Sequence, residues 1–294
     1  MEDQYEAIVI GSGATGGVAA HTLAIAGVKV LVIEAGPELN ESEIIGSEPT
    51  NTFKRLSRVV SGKNRLQSQH PGFWKSNPSL YVNEKENPYT FPKDKPFIWT
   101  QGRQVGGRSH TWGGVTLRLS DLDLLAPKRD GFGQCWPISY SDLKPHYDAL
   151  ENLLKVHGSK EGLEQLPDGN YIQPIPFTTS EKDFAKKVSS KLNFPVIHSR
   201  GFGPHSDNGF PKYSSQGSTL KLALRTGNVK LVSLHIVEKI ILNHTQDKAK
   251  GIVAVDQKTG IRKTFYGELI ILCASTIQSL KILLNSKSSI SSNG

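Results

Sequence analysis

The first 34 residues constrain the fold of this chain more than any other part of its sequence. A short apolar run, Ala7 to Ile10, leads directly into the glycine-rich segment from Gly11 to Gly17. An amphipathic helix is predicted next, ending near Gly27, and a second apolar run, Val28 to Ile33, is followed at once by Glu34. A strand, a glycine-rich turn, a helix, a strand and an acid in this order are typical of a βαβ unit that binds a dinucleotide.

Each part of this unit has a physical role. Gly11 permits the tight turn, Gly13 lets the backbone approach a pyrophosphate, and Gly16 lets helix and strand pack closely. The free amides and the positive end of the helix dipole face the phosphates. Glu34 is placed to accept hydrogen bonds from a ribose, and its charge disfavours a 2′-phosphate. The alternative, a tight turn that binds nothing, stays open, and this unit alone does not separate FAD from NAD.

The composition describes a soluble globular protein. Of 294 residues, 37% are hydrophobic and 21% are charged, values unlike those of disordered or membrane proteins. The longest apolar stretch, Val18 to Ile33, is interrupted by His, Gly and Lys, so no membrane span is predicted. The acidic start, Met1 to Gln4, is unlike a secretory signal. Cys135 and Cys273 are too few to staple the chain and lack metal-site spacing. A cytoplasmic protein without a metal site is expected.

The positive charge is concentrated in one segment. The chain has a formal net charge of +8, and residues 51–110 alone hold eleven Lys and Arg against three acids. Such a segment could bind nucleic acid or steer an anionic ligand, but a solvated, loop-rich face is the simpler interpretation. Because no nucleic-acid-binding motif accompanies the charge, no nucleic-acid partner is predicted.

Two segments in the first half of the chain are predicted to lie over a ligand. From Gly36 to Trp99 the sequence is rich in Ser, Asn, Pro and Lys with little periodicity, which indicates a long, partly ordered surface excursion such as a cofactor cover. The next segment, Gly102 to Gly114, holds five glycines and a Trp. This composition suits a backbone that lies against a flat ligand.

In the second half of the chain, strands and helices are predicted from apolar runs, turn residues and caps. The strands return to a sheet through a meander, which favours an FAD-type fold over a simple NAD domain, although an unrelated β-hairpin unit is the alternative. The predicted helices are Ser141–Leu153 with Ser141 as N-cap, Glu181–Leu192 and Ile277–Leu284, and the predicted strands are Lys230–Leu242, Gly251–Val255 and Leu269–Leu272, with a turn at Asp256–Gly260.

Four motifs, in this order along the chain, resemble the glucose–methanol–choline (GMC) family of FAD-dependent oxidoreductases. The Trp-Gly-Gly ending of the second glycine loop and the Asn285-Ser286 ending are most similar to the sugar and gluconate dehydrogenase branch. The motifs are Gly11–Gly16 with Glu34-Ala35-Gly36, Gly102–Gly107, Trp136-Pro137, and Ala274–Ser279 followed by Leu283–Ser286.

The resemblance implies an α/β fold, in which an FAD-binding Rossmann-like domain, βαβ plus β-meander, is interleaved with an incomplete substrate domain. Residues 1–125, with a long loop at 37–100, form the first part of the FAD domain, and 211–290 form the second part. Residues 126–210 belong to the substrate domain. The family's C-terminal catalytic segment is expected to be absent from this chain.

The resemblance also implies which residues bind FAD. Thr111 stands where some relatives carry a histidine covalently bound to the flavin, and His110 is one residue early, so non-covalent FAD is expected. The residues implied to bind the cofactor are Gly11, Ser12, Gly13, Ala14, Thr15, Gly16, Glu34 and Ala35 in the first unit, Arg103, Val105, Gly106, Gly107, Ser109, Thr111, Trp112 and Gly113 in the second loop, and Val237 and Ala274 near the end.

In this family a histidine base removes the hydroxyl proton of an alcohol while hydride passes to flavin N5. No histidine of this chain matches the family's catalytic positions, so no catalytic residue is predicted, and His110 is interpreted as structural. The implied function is oxidation of the CH–OH group of an alcohol, polyol or sugar. The alternative is a non-catalytic FAD-binding fragment or subunit completed by a C-terminal chain, and an NAD-linked dehydrogenase is a more distant one.

Overall fold

The computed structural model describes residues 4–203 and 209–292. The chain divides into two compact units, the first formed by Met1–Trp112 with Asp207–Gly294 and the second by Gly113–Ser206. The first boundary lies before the one expected at residue 125, so the end of the second glycine loop, from Gly113 on, belongs to the second unit. Among the described residues, no helix is long and apolar enough to cross a lipid bilayer.

Strands and helices alternate at the amino end of the chain, helices and turns fill its middle, and four consecutive strands between two helices follow. The helices are α1 Ala14–Ile25, α2 Glu41–Ile45, α3 Glu48–Val60, α4 Asp121–Leu124, α5 Ala126–Asp130, α6 Tyr140–Leu154, α7 Thr179–Leu192, α8 Thr219–Arg225 and α9 Thr276–Leu284. The strands are β1 Gln4–Ile10, β2 Val30–Ile33, β3 Val229–Val232, β4 His235–Leu242, β5 Ala249–Asp256 and β6 Arg262–Leu272.

The first unit is built on one six-stranded sheet with the order β3-β2-β1-β6-β5-β4. Strands β3, β2, β1 and β6 are parallel, whereas β6, β5 and β4 form an antiparallel meander. Strand β6 belongs to both parts, because its first half pairs with β5 and its second half pairs with β1. The predicted α/β class, with a βαβ unit and a β-meander, is confirmed.

The core of the first unit follows from the alternation of side chains along β1 and β2. Ala7, Val9, Val30 and Val32 share one cluster with residues of α1 and α8. The intervening residues, Ile8, Ile10, Leu31 and Ile33, share a second cluster with residues of the meander and α9. Both faces of these strands are therefore covered, which explains why their sequences read as continuous apolar runs.

The run predicted as one strand from Lys230 to Leu242 is two strands, β3 and β4. They are separated at Leu234, whose φ of 56° is unusual for a residue with a Cβ atom. There the backbone amides of Leu234 and His235 donate to the carbonyl oxygens of Gly36 and Glu34, each at 3.0 Å. The chain thus leaves β3, passes the end of β2 and enters the meander at β4. These hydrogen bonds join residues about 200 positions apart, so the local apolar pattern does not predict the break.

The excursion after β2 is more ordered than its sequence indicates. It contains α2, α3 and three 3-10 turns, and it has a small core of Ile44, Phe73, Leu80 and Tyr81. From residue 84 to residue 103 it is irregular, as predicted. The long loop expected at residues 37–100 therefore contains regular structure, above all the 13-residue helix α3.

In the second unit the predicted helices are present with earlier starts. Helix α6 is capped by Ser139 and not by Ser141: the Ser139 hydroxyl accepts a hydrogen bond from the Asp142 amide, and the Asp142 carboxylate accepts one from the Ser139 amide. This reciprocal pair is a capping box, and it favours Ser139 because the Asp stands three residues after it. Thr178 and Glu181 form the same arrangement at the start of α7.

Candidate cofactor site

A cavity of about 410 Å³ lies at the carboxyl ends of the parallel strands of the first unit. This edge is where open α/β sheets bind their ligands, because the loops that follow the strands and the amino ends of the helices meet there. The lining residues are Ile10, Gly11, Gly13–Thr15, Ile33–Ala35, Trp99–Arg103, Gly107–Ser109, Trp112, His235–Val237, Cys273–Ser275, Gln278 and Ile282.

The three glycines of the first turn serve different purposes. Gly11 has a φ of 101°, and a Cβ atom there would lie 2.8 Å from the carbonyl carbon of Cys273. A Cβ atom on Gly16 would lie 2.9 Å from the carbonyl carbon of Gly11. Gly13, by contrast, has an ordinary φ of −67°, and the nearest atom to its Cβ position, the Gly106 oxygen, is 4.0 Å away. Packing within the protein requires Gly11 and Gly16, whereas Gly13 leaves open space that belongs to the cavity.

The amino end of α1 is suited to an anion. Gly13 is its N-cap, no side chain caps the helix, and no acid stands in its first turn. The first intrahelical bond runs from the Gly17 amide to the Gly13 oxygen, so the amides of the first turn have no carbonyl of their own helix to bind. Together with the helix dipole, these amides favour a phosphate at the cavity wall.

Glu34 is a buried carboxylate with an ordered set of donors. Its Oε2 accepts hydrogen bonds from the Ser12 amide at 3.0 Å and the Ser12 hydroxyl at 2.6 Å, and its Oε1 accepts one from the Gly36 amide at 2.8 Å. Burial raises the pKa of Glu34, and the hydrogen bonds from Ser12 and Gly36 and the charge of Arg103 oppose that rise. The side chain therefore presents a fixed hydrogen-bond acceptor at the end of β2.

The second glycine loop approaches the first one at Ser12. The Gly106 amide donates to the Ser12 hydroxyl at 3.0 Å, and the Ser109 hydroxyl donates to the Gly106 oxygen at 2.5 Å. Gly106 and Gly107 both have positive φ, 85° and 51°, which lets this segment turn beside the first loop. Arg103, Gly107, Ser109 and Trp112 consequently line the cavity from this loop.

The structure brings together most, though not all, of the residues predicted to bind the cofactor. Those that line the cavity are Gly11, Gly13, Ala14, Thr15, Glu34, Ala35, Arg103, Gly107, Ser109, Trp112, Val237 and Ala274. Ser12, Gly16, Val105, Gly106 and Thr111 are not among the lining residues, and Gly113 belongs to the second unit. Val105 is buried in the cluster beneath α1 and α8.

Sequence reasoning missed several lining residues. Most of them lie within or next to the motifs or the strand that contains Val237, so that position was the available signal, whereas Trp99 and Thr100 lie outside these segments. Cys273 is half-buried and lines the cavity, and burial raises the pKa of its thiol. The missed lining residues are Ile10, Ile33, Trp99, Thr100, Gln101, Gly102, Arg108, His235, Ile236, Cys273, Ser275, Gln278 and Ile282.

His110 is turned away from the lining of the cavity. Its Nε2 lies 3.1 Å from both the Val105 oxygen and the Gln216 Oε1, and since both partners are acceptors, Nε2 carries the proton. Burial lowers the pKa of His110, which keeps the ring neutral. This arrangement gives His110 a structural role in holding the second glycine loop.

The donors and the space at this site fit a dinucleotide with a central pyrophosphate. The uncapped amino end of α1 supplies amides for the phosphates, Gly13 leaves room beside them, and Glu34 offers acceptor oxygens for ribose hydroxyls. The meander contributes His235 to Val237 to the same cavity. The residues present therefore fit FAD.

Curated relatives of this chain are oxidoreductases. It is 24% identical over 212 residues to the fructose dehydrogenase large subunit of Gluconobacter japonicus, covering 68% of this chain and 37% of that protein. It is 29% identical over 161 residues to paromamine 6'-oxidase of Streptomyces fradiae, covering 54% and 24%. It is 24% identical over 305 residues to 2-methyl-1,2-propanediol dehydrogenase of Mycolicibacterium austroafricanum, covering 97% and 51%. The chain spans about half or less of the length of these relatives.

Solved structures share the fold over nearly the whole chain. Pyridoxine 4-oxidase from Mesorbium loti superposes with a TM-score of 0.58 at 16% identity, covering 96% of this chain and 52% of that one. A single-site variant of Aspergillus oryzae formate oxidase, studied for its FAD modification, superposes with a TM-score of 0.57 at 15% identity, covering 98% and 48%. The family model described as GMC oxidoreductase matches residues 5–290, and this chain therefore belongs to the GMC oxidoreductase family.

Proposed function

We propose that this chain forms the FAD-binding part of an oxidoreductase that acts on the CH–OH group of an alcohol, polyol or sugar. The observation that carries the proposal is the cavity at the carboxyl ends of the parallel strands. There Gly13 leaves unfilled space beside the uncapped amino end of α1, and Glu34 presents a fixed acceptor. FAD, when bound, supplies the two-electron acceptor for oxidation of the alcohol to a carbonyl compound.

The cavity residues divide into three groups by the part of the cofactor that they would hold. The amides of Ala14 and Thr15 bind the pyrophosphate, and Glu34 accepts from a ribose hydroxyl. The backbone at Val237 lies against the adenine. Arg103, Gly107, Ser109 and Trp112 hold the flavin side of the cofactor, by the resemblance of their loop to the family.

The substrate class is proposed from the relatives. Fructose, paromamine and 2-methyl-1,2-propanediol stand in their names, and fructose and the propanediol carry neighbouring hydroxyl groups. We assign no catalytic base to this chain. His235 is the one histidine among the described residues that lines the cavity, but its Nδ1 lies 2.7 Å from the Ser233 oxygen and its Nε2 lies 3.4 Å from Lys263 Nζ.

The alternative function is a subunit or FAD-binding fragment that needs a complementing polypeptide. One relative is named as a large subunit, which supports this possibility. Anaerobic addition of fructose or 1,2-propanediol to the FAD-loaded chain distinguishes an enzyme that is active alone from a subunit that needs a second polypeptide. Bleaching of the flavin absorbance means that the chain oxidises the substrate alone, and bleaching only after a complementing polypeptide is added supports the subunit.

We place the chain in the cytoplasm, where its two unpaired cysteines stay reduced.

We also propose that the cofactor is held without a covalent bond. Neither Thr111 nor His110 lines the cavity, and the Nε2 atom of His110 is hydrogen-bonded to Val105 and Gln216. Acid precipitation of the FAD-loaded chain followed by filtration should therefore release all of the flavin into the supernatant. Flavin that stays with the precipitated protein would contradict this part of the proposal.

A titration of the purified chain with FAD, followed by the change in flavin fluorescence, tests the cofactor assignment. We expect saturable binding to the wild-type chain. Gly13→Ala should weaken it by about tenfold or more, because the new methyl group enters the cavity next to the phosphates. The thermal unfolding midpoint without FAD should fall by a few degrees at most, because the nearest protein atom, the Gly106 oxygen, lies 4.0 Å from that methyl group and Ala is only a poorer N-cap than Gly.

Gly203→Ala is the matched control for this titration. Gly203 lies in the second unit, and its added Cβ atom would make an ordinary contact at 3.4 Å with Ile175. This variant should bind FAD as the wild-type chain does. Absence of saturable binding to the wild-type chain would overturn the proposed cofactor, and equal binding by Gly13→Ala would overturn the assignment of the cavity.

A further inference from the structure

We propose that Ser12 is a positioning residue, whose single hydroxyl group holds both Glu34, the acid assigned to the ribose, and the second glycine loop in place. The inference rests on the proposed binding of FAD in this cavity. Ser12 has no exposed surface and does not line the cavity, so it does not touch a ligand there. Its action must therefore pass through the two groups that it binds, Glu34 and Gly106.

The hydrogen bonds of the Ser12 hydroxyl fix its role. A hydroxyl has one proton to donate and two lone pairs that accept. The proton goes to Glu34 Oε2 at 2.6 Å, and one lone pair accepts from the Gly106 amide at 3.0 Å. The end of β2 and the turn of the second glycine loop, 72 residues apart in sequence, are thus joined through a single oxygen atom.

This network also selects the carboxylate oxygen that is open to a ligand. An ionised carboxylate has about four acceptor positions on its two oxygens. Ser12 occupies two of them, both on Oε2, through its amide and its hydroxyl, and the Gly36 amide occupies one on Oε1. The remaining position is on Oε1, and this is the oxygen that we assign to the ribose hydroxyl.

Removal of the hydroxyl should change both partners. Glu34 would keep its buried position and lose its shortest hydrogen bond, so that its protonated form, which donates as well as accepts, would be favoured. The Gly106 amide would lose its acceptor inside the protein, and the second loop would lose its anchor. Ligand affinity should then fall at neutral pH and fall further as the pH is lowered.

Other titratable groups of the cavity must be accounted for in such a pH dependence. Arg103 and Arg108 come from the second loop, His235 from β4 and Cys273 from the end of β6. All of these groups are shared by the wild-type chain and the variants. A difference between their pH profiles therefore reports on Glu34 and not on the rest of the cavity.

The test measures the dissociation constant of FAD at about pH 6, 7 and 8.5 for the wild-type chain, Ser12→Ala, Glu34→Gln and the double variant. Ser12→Ala should weaken binding by about tenfold or more at pH 7, with a larger loss at pH 6 than at pH 8.5. Glu34→Gln should show no such added pH dependence. In the double variant the Ser12 substitution should have a smaller and pH-independent effect, because only the hydrogen bond from the Gly106 amide is then lost.

Ser214→Ala is the matched control. Ser214 is equally buried, and its hydroxyl likewise donates one hydrogen bond and accepts one, but both of its partners are backbone groups, the Pro211 oxygen at 2.6 Å and the Gly217 amide at 3.0 Å. It should lower the unfolding midpoint without changing the pH profile of FAD binding. Should Ser12→Ala fail to fold, Ser12→Cys, with its weaker donor, should show the same pH trend with a smaller loss.

The outcomes separate this inference from the proposed function. A wild-type chain that does not bind FAD removes the proposed function itself. If the wild-type chain binds FAD and the Ser12 variants match its affinity at each pH, the positioning role is wrong. A loss of affinity that is the same at all three pH values, or that adds fully to the effect of Glu34→Gln, also overturns the role, because it shows general damage to the fold.

Discussion

At the scale of single residues, Ser275 carries the clearest backbone strain at the site. It precedes α9, lines the cavity, and has φ 66° and ψ 157°, a combination found almost only in glycine. Its side chain makes no cap to the helix. Ser275→Gly should therefore raise the free energy of unfolding by about 1 kcal/mol, as relief of strain outweighs the entropic cost of glycine. Urea denaturation of the two chains measures the difference.

Ser279→Gly is the comparison for this prediction. Ser279 lies inside α9, and its amide donates to the Ser275 oxygen at 2.8 Å. A glycine there relieves no strain and should lower the free energy of unfolding by about 0.5–1 kcal/mol. Equal changes in the two variants would contradict the assignment of strain to Ser275.

Single residues also show where sequence reasoning succeeds and where it stops. The glycines of the first turn and Glu34 were predicted because their chemistry depends on spacing within one βαβ unit. Ser12 was predicted as a ligand contact, yet its hydroxyl joins Glu34 to Gly106, 94 residues away from it in sequence. Strained Ser275 gave no signal, because nothing in its local sequence predicts a positive φ.

At the scale of elements, helix α3 is the main disagreement with the sequence prediction. Its large apolar residues Phe53, Leu56 and Val60 share one face, and 75%, 54% and 89% of their surfaces are exposed. The opposite face buries Asn51 and Arg55, which an ordinary surface helix would expose. Arg55 donates to Glu48 at 2.6 Å and to the Ser76 oxygen at 3.1 Å, so its buried guanidinium is satisfied. A pattern with polar residues inside does not predict a packed helix.

Because α3 buries polar residues and exposes apolar ones, replacing a buried polar residue should destabilise the protein more than replacing an exposed apolar one. Phe53→Ser should change the free energy of unfolding by less than about 0.5 kcal/mol, because the ring is already in solvent. Arg55→Ala should lower it by about 2 kcal/mol, since the Ser76 oxygen and Glu48 lose a buried, charged donor. Chemical denaturation of the two variants in parallel is the measurement. A larger loss from Phe53→Ser than from Arg55→Ala would mean that the apolar face is the packed one.

At the scale of the whole molecule, the sheet was predictable in class and not in detail. Its strands are apolar runs that follow or precede recognisable turns, so the βαβ unit and the meander could be inferred. The division of Lys230–Leu242 into β3 and β4 depends on hydrogen bonds from Leu234 and His235 to the end of β2, which no local pattern records. The boundary at Trp112 likewise falls inside a glycine loop that reads as one motif.

The two units of the molecule differ in what stabilises their interiors. Among the described residues, the three apolar clusters are all drawn from the first unit. The second unit instead buries two arginines among carboxylates. Arg118 donates to Glu151 and Asp148, each at 2.5 Å, and Arg200 donates to Glu161 at 2.6 Å and Asp168 at 2.8 Å. Ion pairs around a buried guanidinium depend on ionised carboxylates, so lowering the pH should destabilise this unit before the first one.

The direction of that pH effect follows from the two aspartates. Hydrogen bonds from Lys144 and Arg118 lower the pKa of Asp148. Burial alone would raise the pKa of Asp168, but the amides of Glu161 and Gly162 and the charge of Arg200 lower it overall. A carboxyl group whose pKa is lowered by folding adds stability above its ordinary pKa of 3.8, and this stability is lost as the pH falls below that value.

We therefore expect residues 113–203 to lose protection from hydrogen exchange before β1 and β2 do, as the pH is lowered from about 4 to about 2. The first unit also has carboxyl groups of lowered pKa, but ion pairs such as Arg262 with Glu238 lie at the surface and contribute little. Asp168→Asn should destabilise the second unit at neutral pH and weaken its acid response, because one titrating partner of Arg200 is gone. Simultaneous loss of protection in both units would show that the apolar clusters, and not the buried arginines, govern the response of the whole molecule to acid.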